Sequence, residues 1–344
     1  MTDATRTRLV PDELTRTDDL VGIDRIRSAA ELLKGVALRT PLVGFGRAED
    51  RQYLKAESLQ PIGAFKIRGA YVAIAGLDEA TRRRGVISYS SGNHAQGVAR
   101  AARLLGAPAT VVMPDDAPRI KADRVAADGA EIVWVGPSSE ERQRVAEQLA
   151  AERGLAVIPP FDDPRIIAGQ GTVGLEIAED LPDLAAVLIP IGGGGLASGV
   201  AAAVRALTPT ARIVGVEPEV AADARASLRA GHIVTWPADQ VGRTIADGTR
   251  ATRLGTLTFA HLARLLDDIV TVSEVEIAAT VRVIAAESRL VAEPSGALAA
   301  AALRFRASEA GVRRPSGPVV AIVSGGNVDP ARYREFLGAA VPDT

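Results

Sequence analysis

Cysteine is missing from all 344 residues, so neither a disulfide, a thiolate metal ligand nor a thiol nucleophile is available. Aromatic residues make up only 3% of the chain, and a core must therefore be packed from Ala, Val, Leu and Ile among frequent glycines. Charge of one sign is also missing. With 40 basic and 42 acidic side chains the formal net charge is -2, which leaves no basic excess for a nucleic-acid backbone. The first residues, MTDATRTRLVPDELTRTDD, lack the apolar stretch of a secretory signal, and a cytoplasmic location is expected. An uncharged run from Leu184 to Val204 is long enough for a bilayer. Pro190 and the glycines Gly192, Gly193, Gly194, Gly195 and Gly199 break it into a strand, a turn and an Ala-rich helix, and no membrane span is expected.

What is present alternates. GVISYS precedes NHAQGVARAARLLG, ATVVMP precedes RIKADRVAADG, and EIVWVG precedes SSEERQRVAEQLAAERG, the rhythm of parallel strands crossed by helices. After a Pro/Asp-rich joint at PPFDDP the pattern resumes with TVGLEIAEDL, AAVLIPIGGGG, LASGVAAAVRAL and RIVGVEPE, and it closes on PVVAIVSGGN. Ser273 with Glu276 three residues on reads as a capping box, as does Ser138 with Glu141. The stretch from Ala221 to Thr258 predicts irregular structure and short helices.

Ligands of open parallel sheets bind beyond the carboxyl ends of the strands, and the glycine-bearing turns are the places to look. Gly192 to Gly195 lie between a strand and a helix, where unhindered backbone N–H groups can wrap an anion at a helix N-terminus. The same loop fits a relaxed dinucleotide fingerprint through Gly192, Gly194 and Ala197, with Glu217 ending the next strand, so the loop alone leaves both ligands open. Lys66 stands between Phe65 and an Ile-Arg-Gly-Ala helix start; an amine held near apolar surface is a nucleophile, although a solvated lysine would read the same way in this window. At SYSSGNHAQG, Ser90, Ser91, Gly92, Asn93 and His94 gather hydroxyls, an amide and free N–H groups, suited to a carboxylate or phenolate and equally to an ordinary helix cap.

Taken jointly, QPIGAFKIRGA, SSGNHAQG, AGQGT, GGGGL, GVEPE, EPSGA and SGGNVD, in this order from about Ile23 to Asp329, resemble the serine/threonine dehydratase and serine racemase family. That resemblance implies an α/β fold of the type II pyridoxal-phosphate enzymes, with two open, twisted, mostly parallel sheets flanked by helices. It implies a large cofactor-binding domain from residues 1–83 and 154–344, a small mobile domain from 84–153, and a homodimer. Pyridoxal 5'-phosphate would be carried by Lys66, flanked by Phe65, touched at its 3'-oxygen by Asn93, held at its phosphate by Gly192, Gly193, Gly194, Gly195 and Leu196, and met at its ring nitrogen by Ser324, with Glu293 nearby. Ser90, Ser91, Gly92, Asn93 and His94 would receive the substrate carboxylate, with Ser91 able to act on the opposite face as in racemases. Glu217, Ala221 and Asp223 match a divalent-cation site for Mg2+ or Ca2+.

The implied reaction is loss of water from a small β-hydroxy-α-amino acid, threonine or serine, giving a 2-oxo acid and ammonia. Serine racemization and 3-hydroxyaspartate dehydration are alternatives within that chemistry; a nicotinamide-dependent dehydrogenase or a non-catalytic binding protein are alternatives outside it. Two departures stand out: AFK replaces the commoner SFK, and Phe161 occupies a position where some racemases have asparagine. No isoleucine-responsive regulatory domain is expected after SGGNVD.

Overall fold

The structure, a computed structural model, describes residues 20–90, 92–115, 117, 119–136, 139–313 and 316–342. Ten strands occur among them: β1 (Leu42–Gly44), β2 (Gln52–Lys55), β3 (Val86–Tyr89), β4 (Ala109–Pro114), β5 (Glu131–Val135), β6 (Ala156–Val157), β7 (Ala186–Pro190), β8 (Arg212–Pro218), β9 (Asp268–Val272) and β10 (Val319–Ile322). They form two sheets. One is six-stranded in the order β1-β2-β10-β7-β8-β9, the other four-stranded in the order β5-β4-β3-β6. Among these strand pairs only β1–β2 is antiparallel. The four-stranded sheet ends on Ala156–Val157, just past Arg153.

Central strands of a parallel sheet are covered on both faces and need unbroken apolar runs. AVLIP of β7 and VVAI of β10 are buried at every position, and β8 is buried from Ile213 onward. The helix Pro294–Phe305 packs its alanines against one face of the large sheet, in a core that also takes in Val214, Val216, Ile277 and Ile284. Against the other face lie Val173, Ile177, Ala197 and Val200 from the helices Pro164–Asp180 and Gly195–Leu207.

Those two helices touch backbone to backbone. A β-carbon on Gly199 would stand 2.3 Å from the Ile167 carbonyl oxygen, and one on Gly174 would stand 2.8 Å from Val200 Cα. Capping is explicit at several starts. Ser273 Oγ accepts from the Glu276 N–H while Glu276 accepts from the Ser273 N–H at 2.7 Å, the expected reciprocal box. Ser138, of the second expected box, lies outside the described residues. Between Ala221 and Thr258 come the helices Asp223–Ala230 and Ala238–Val241, the 3-10 turn Asp247–Thr249 and irregular chain, as the composition there suggests.

Candidate active site

Just past the ends of strands β3, β7 and β10 come Ser90, the 192–195 glycines and Ser324, and these segments open into one cavity of about 770 Å³. Such a volume suits a cofactor-sized ligand with a small substrate. Phe65, Lys66, Ser90, residues 92–94, residues 192–196, Glu293 and Ser324 all line it, so segments scattered over the chain meet in one place. Ser91 lies outside the described residues.

Lys66 is the first residue of the helix Lys66–Ala75. That start is stitched to the β10 end: Phe65 N–H donates to the Ser324 carbonyl at 3.1 Å, and Ala64 pairs with Gly325. Lys66 Nζ donates to the Pro160 carbonyl at 2.7 Å and lies 5.2 Å from the Phe65 ring centre. Its side chain keeps contact with the cavity, yet the surrounding protein strips most of its water. Desolvation, with no carboxylate partner among the described residues, pulls the ammonium down to about 8, so much of the amine is free base under mildly alkaline conditions.

The glycine loop is defined by what it excludes. Gly194 adopts a left-handed φ of +91° at the N-cap of Gly195–Leu207, a conformation that favours glycine. A β-carbon on Gly193 would stand 2.1 Å from the Phe161 ring, and one on Gly195 would stand 3.1 Å from Phe161 Cβ. A bare backbone turn at a helix N-terminus results, with the electrostatics an anion requires.

Opposite the loop, Asn93 begins the helix Asn93–Leu104, and its amide is clamped on both sides. Asn93 Nδ2 donates to Glu293 Oε1, and Asn93 Oδ1 accepts from Asn327 Nδ2 at 2.8 Å. Burial pushes the Glu293 carboxyl up to about 7; nearby Lys121 opposes this and Asp247 reinforces it. Glu293 Oε2 is buried without a partner among the described residues. Lys121 pairs with Asp247 at 2.5 Å, linking the helix Arg119–Ala127 beside the small sheet to the 3-10 turn beside the large one.

His94 is 2% exposed. Its Nε2 lies 3.0 Å from the Ile158 carbonyl, which also accepts from Ser88 Oγ at 2.8 Å; a carbonyl can only accept, so Nε2 carries the proton and Nδ1 is an acceptor without a partner among the described residues. Desolvation and the charge of Lys66 push its pKa down to about 3, leaving the ring neutral. Ser324 is buried, with its hydroxyl 3.4 Å from the Ser295 carbonyl.

Glu217, Ala221 and Asp223 are buried elsewhere, the first near the end of β8 and the other two just beyond it, away from the cavity lining. Glu217 accepts the Ala224 and Arg225 N–H groups at 2.9 and 2.8 Å, and Asp223 Oδ2 has no partner among the described residues. Burial, with Asp223 nearby, raises the Glu217 carboxyl; burial brings Asp223 to about 7. Among the described residues no group of three or more His, Cys, Asp or Glu side chains could hold a metal. Glu217 is spent on the start of the helix Asp223–Ala230 and is not among the residues that line the cavity, so it does not serve there as the ribose-binding acid of a dinucleotide site.

Sequence reasoning missed Lys121, Asp247, Ser295 and Pro160. Lys121 and Asp247 lie in unremarkable local contexts 126 positions apart, and Ser295 and Pro160, although inside EPSGA and PPFDDP, meet partners remote in the chain. Nor is any helix among the described residues long and apolar enough to cross a membrane.

Residues 34–325 match the family described as "Pyridoxal-phosphate dependent enzyme". The L-threo-3-hydroxyaspartate ammonia-lyase of Saccharomyces cerevisiae is 42% identical over 91% of this chain and 95% of its own length. Maize serine racemase superposes with a TM-score of 0.86 at 38% identity, covering 92% of this chain and 96% of that one. The processed form of threonine deaminase isoform 2 from Solanum lycopersicum superposes with a TM-score of 0.81 at 37% identity, covering 93% and 95%.

Proposed function

Because the chain belongs to the pyridoxal-phosphate-dependent enzymes of fold type II, we propose that it removes water from threonine or serine to give a 2-oxo acid and ammonia, acting as a cytoplasmic homodimer. The observation that carries this reading is Lys66. It is a desolvated amine without a counter-ion among the described residues, in a cavity that also holds a bare glycine loop at a helix start.

The residues fit the cofactor. The backbone of Gly192, Gly193, Gly194 and Gly195, with Leu196 behind, would take its phosphate; Phe65 would flank the ring; Asn93, fixed by Glu293 and Asn327, would meet the 3'-oxygen; and the Ser324 hydroxyl would meet the ring nitrogen. When bound, pyridoxal 5'-phosphate supplies the sink for the electron pair left at Cα. Lys66 takes the Cα proton, a role for which an amine near pKa 8 is matched. Ser324 is neutral and cannot hold the ring nitrogen protonated as a carboxylate would, which tempers the sink and favours departure of the β-hydroxyl. Ser90, Gly92, Asn93 and His94 receive the substrate carboxylate on the N-terminal turn of their helix, and Ser91 is assigned to the opposite face. Residues 84–153 form a mobile unit whose closure excludes water. Glu217, the Ala221 carbonyl and Asp223 hold Mg2+ or Ca2+, a reading supported by two buried carboxyls with an unpartnered oxygen.

A second reading, 3-hydroxyaspartate as preferred substrate, is favoured by the arginines Arg142, Arg250 and Arg253, which line the cavity beside its acids, and by the 42% identical yeast lyase. Assay of 2-oxo acid formation and chiral inversion over threonine, serine and 3-hydroxyaspartate decides among them. Borohydride reduction of the yellow enzyme followed by peptide mapping should label Lys66, and Lys66→Ala should lose the visible band and the elimination together; a label on another lysine would refute the assignment.

A further inference from the structure

Residues 159–163, the joint between the two sheets, make four anchoring contacts in succession. Pro160 accepts from Lys66 Nζ, Phe161 covers Gly193 and Gly195, and Asp163 caps the helix Pro164–Asp180. Asp162 reaches elsewhere. Its Oδ1 accepts the Leu257 and Thr258 N–H groups at 2.9 and 3.0 Å, and its Oδ2 accepts the Thr256 N–H at 3.0 Å. These are the first three residues of the helix Thr256–Leu265, whose formal N-cap, Gly255, has no side chain to offer. A β-carbon on Gly255 would stand 2.1 Å from Asp162 Cγ, so the empty position admits the distant carboxylate.

The turn thus capped lies against the glycine loop. A β-carbon on Gly194 would stand 2.9 Å from Thr258 Cβ and 3.1 Å from Leu254 Cδ2. The contacts close a ring from Asp162 through Thr258 to Gly194, along the loop to Phe161, and back to Asp162 by the chain itself. Pro160, two residues before Asp162, is attached to that ring and carries the acceptor for Lys66.

We propose that Asp162 is a positioning residue: by tying residues 159–163 to the first turn of Thr256–Leu265, its carboxylate holds the Pro160 carbonyl against Lys66 and the Phe161 ring against the glycine loop, so that the reactive amine and the anion cradle keep one separation. The proposal rests on the reading of Lys66 given above. A carboxylate on three N–H groups of a helix start is strong in its own right, and a simple cap would contribute stability and nothing more. A positioning role reaches Lys66 itself.

Trapping Lys66 in the cofactor-free enzyme separates the two. Pyridoxal, which lacks the phosphate, is added with borohydride over a pH series, and labelling is read by peptide mapping; retention of pyridoxal 5'-phosphate is measured alongside. The wild type should label Lys66 with a midpoint near 8. Asp162→Ala, and Gly255→Ala from the other side of the same contact, should move the midpoint toward the ordinary lysine value by roughly one unit or more as water enters the joint. Both should lower the preference for the phosphorylated ligand over pyridoxal by about tenfold or more. Thr256→Pro, which deletes one donor at the first helical position where proline is tolerated, keeps a folded variant in hand and should move both readouts in the same direction. Wild-type midpoints and ligand preference in every variant that folds, with only the melting temperature lowered, would reduce Asp162 to a helix cap. Labelling of another lysine in the wild type would instead overturn the assignment of Lys66.

Discussion

Replacing Arg68 by methionine should destabilise the protein by about 4 kcal/mol at neutral pH, the usual range for removing one partner of a buried ion pair being about 3–5. Arg68 is 1% exposed and sits two residues after Lys66. Its Nε and Nη2 donate to Glu57 at 2.8 Å each, its Nη1 and Nη2 donate to Glu176 at 2.6 and 3.0 Å, and Thr172 and the Leu38 carbonyl complete the set. Lys55 pairs with Glu176 at 2.7 Å, so the cluster holds two cations against two carboxylates and is neutral. Without Arg68 it is left with an uncompensated negative charge. Burial by itself would raise the Glu57 carboxyl, but Arg68, with Thr40 and Lys55, holds it below the usual carboxylate range. In the variant the largest part of that restraint is gone, and the folded-state pKa should move above its unfolded value. Stability is then present below the unfolded pKa and lost as pH rises through the folded one, so the deficit should be larger at pH 7.5 than at pH 5. With an unfolding entropy of about 2.1 cal/mol/K per residue over 344 residues, the melting temperature falls by about 5 °C. Denaturant unfolding of the cofactor-free enzyme at both pH values is the assay, and Glu57→Gln added to Arg68→Met should restore part of the loss. A deficit below about 1 kcal/mol, or one that does not grow with pH, would show that the network is not what holds the Lys66 helix.

Gly193→Ala should cost cofactor retention about 100-fold or more, because its new methyl meets the Phe161 ring at 2.1 Å, and Phe161→Ala in the same chain should recover part of it; equal retention by wild type and Gly193→Ala in equilibrium dialysis would contradict the loop geometry. His94 is neutral when buried and protonates when unfolded, so it contributes stability above pH 6.5 that is lost as pH falls toward about 3; over that window the wild type should lose up to about 1.4 kcal/mol per pH unit more than His94→Gln in denaturant titrations, and parallel slopes would refute the assignment. Mg2+ should raise the melting temperature of the wild type by mass action and leave Asp223→Ala unmoved; if a chelator changes neither melting temperature nor turnover, Glu217 and Asp223 are a capping pair and nothing more.

Legibility in the sequence followed contiguity. Lys66, Asn93, the 192–195 glycines and Ser324 each stand in a short window whose residue types are unusual together, and the same windows carried the family resemblance. Asp162 read only as part of a joint, because nothing nearby indicates that its carboxylate caps a helix 94 positions away. Lys121 and Arg68 carry no local sign of burial; the acids that justify it, Asp247, Glu57 and Glu176, come from other segments. The alternation of strands and helices indicated parallel sheets, but not that β10, near the end of the chain, would lie between β2 and β7. Parallel neighbours are joined by long crossovers, and local pattern does not specify who pairs with whom.

Helices Pro164–Asp180 and Gly195–Leu207 touch through Gly171, Gly174 and Gly199, a pairing too close for any added methyl group. Exchanging helical glycine for alanine ordinarily stabilises a protein, chiefly by restricting the unfolded chain. Here that route to a hardier enzyme is closed, since each such methyl would wedge the pair apart. The damage would not stay local. One helix begins immediately after the joint that touches Lys66, and the other begins on the loop assigned to the phosphate, so their contact works as a calliper, with its jaws at the reaction centre and its fixed setting deep in the core.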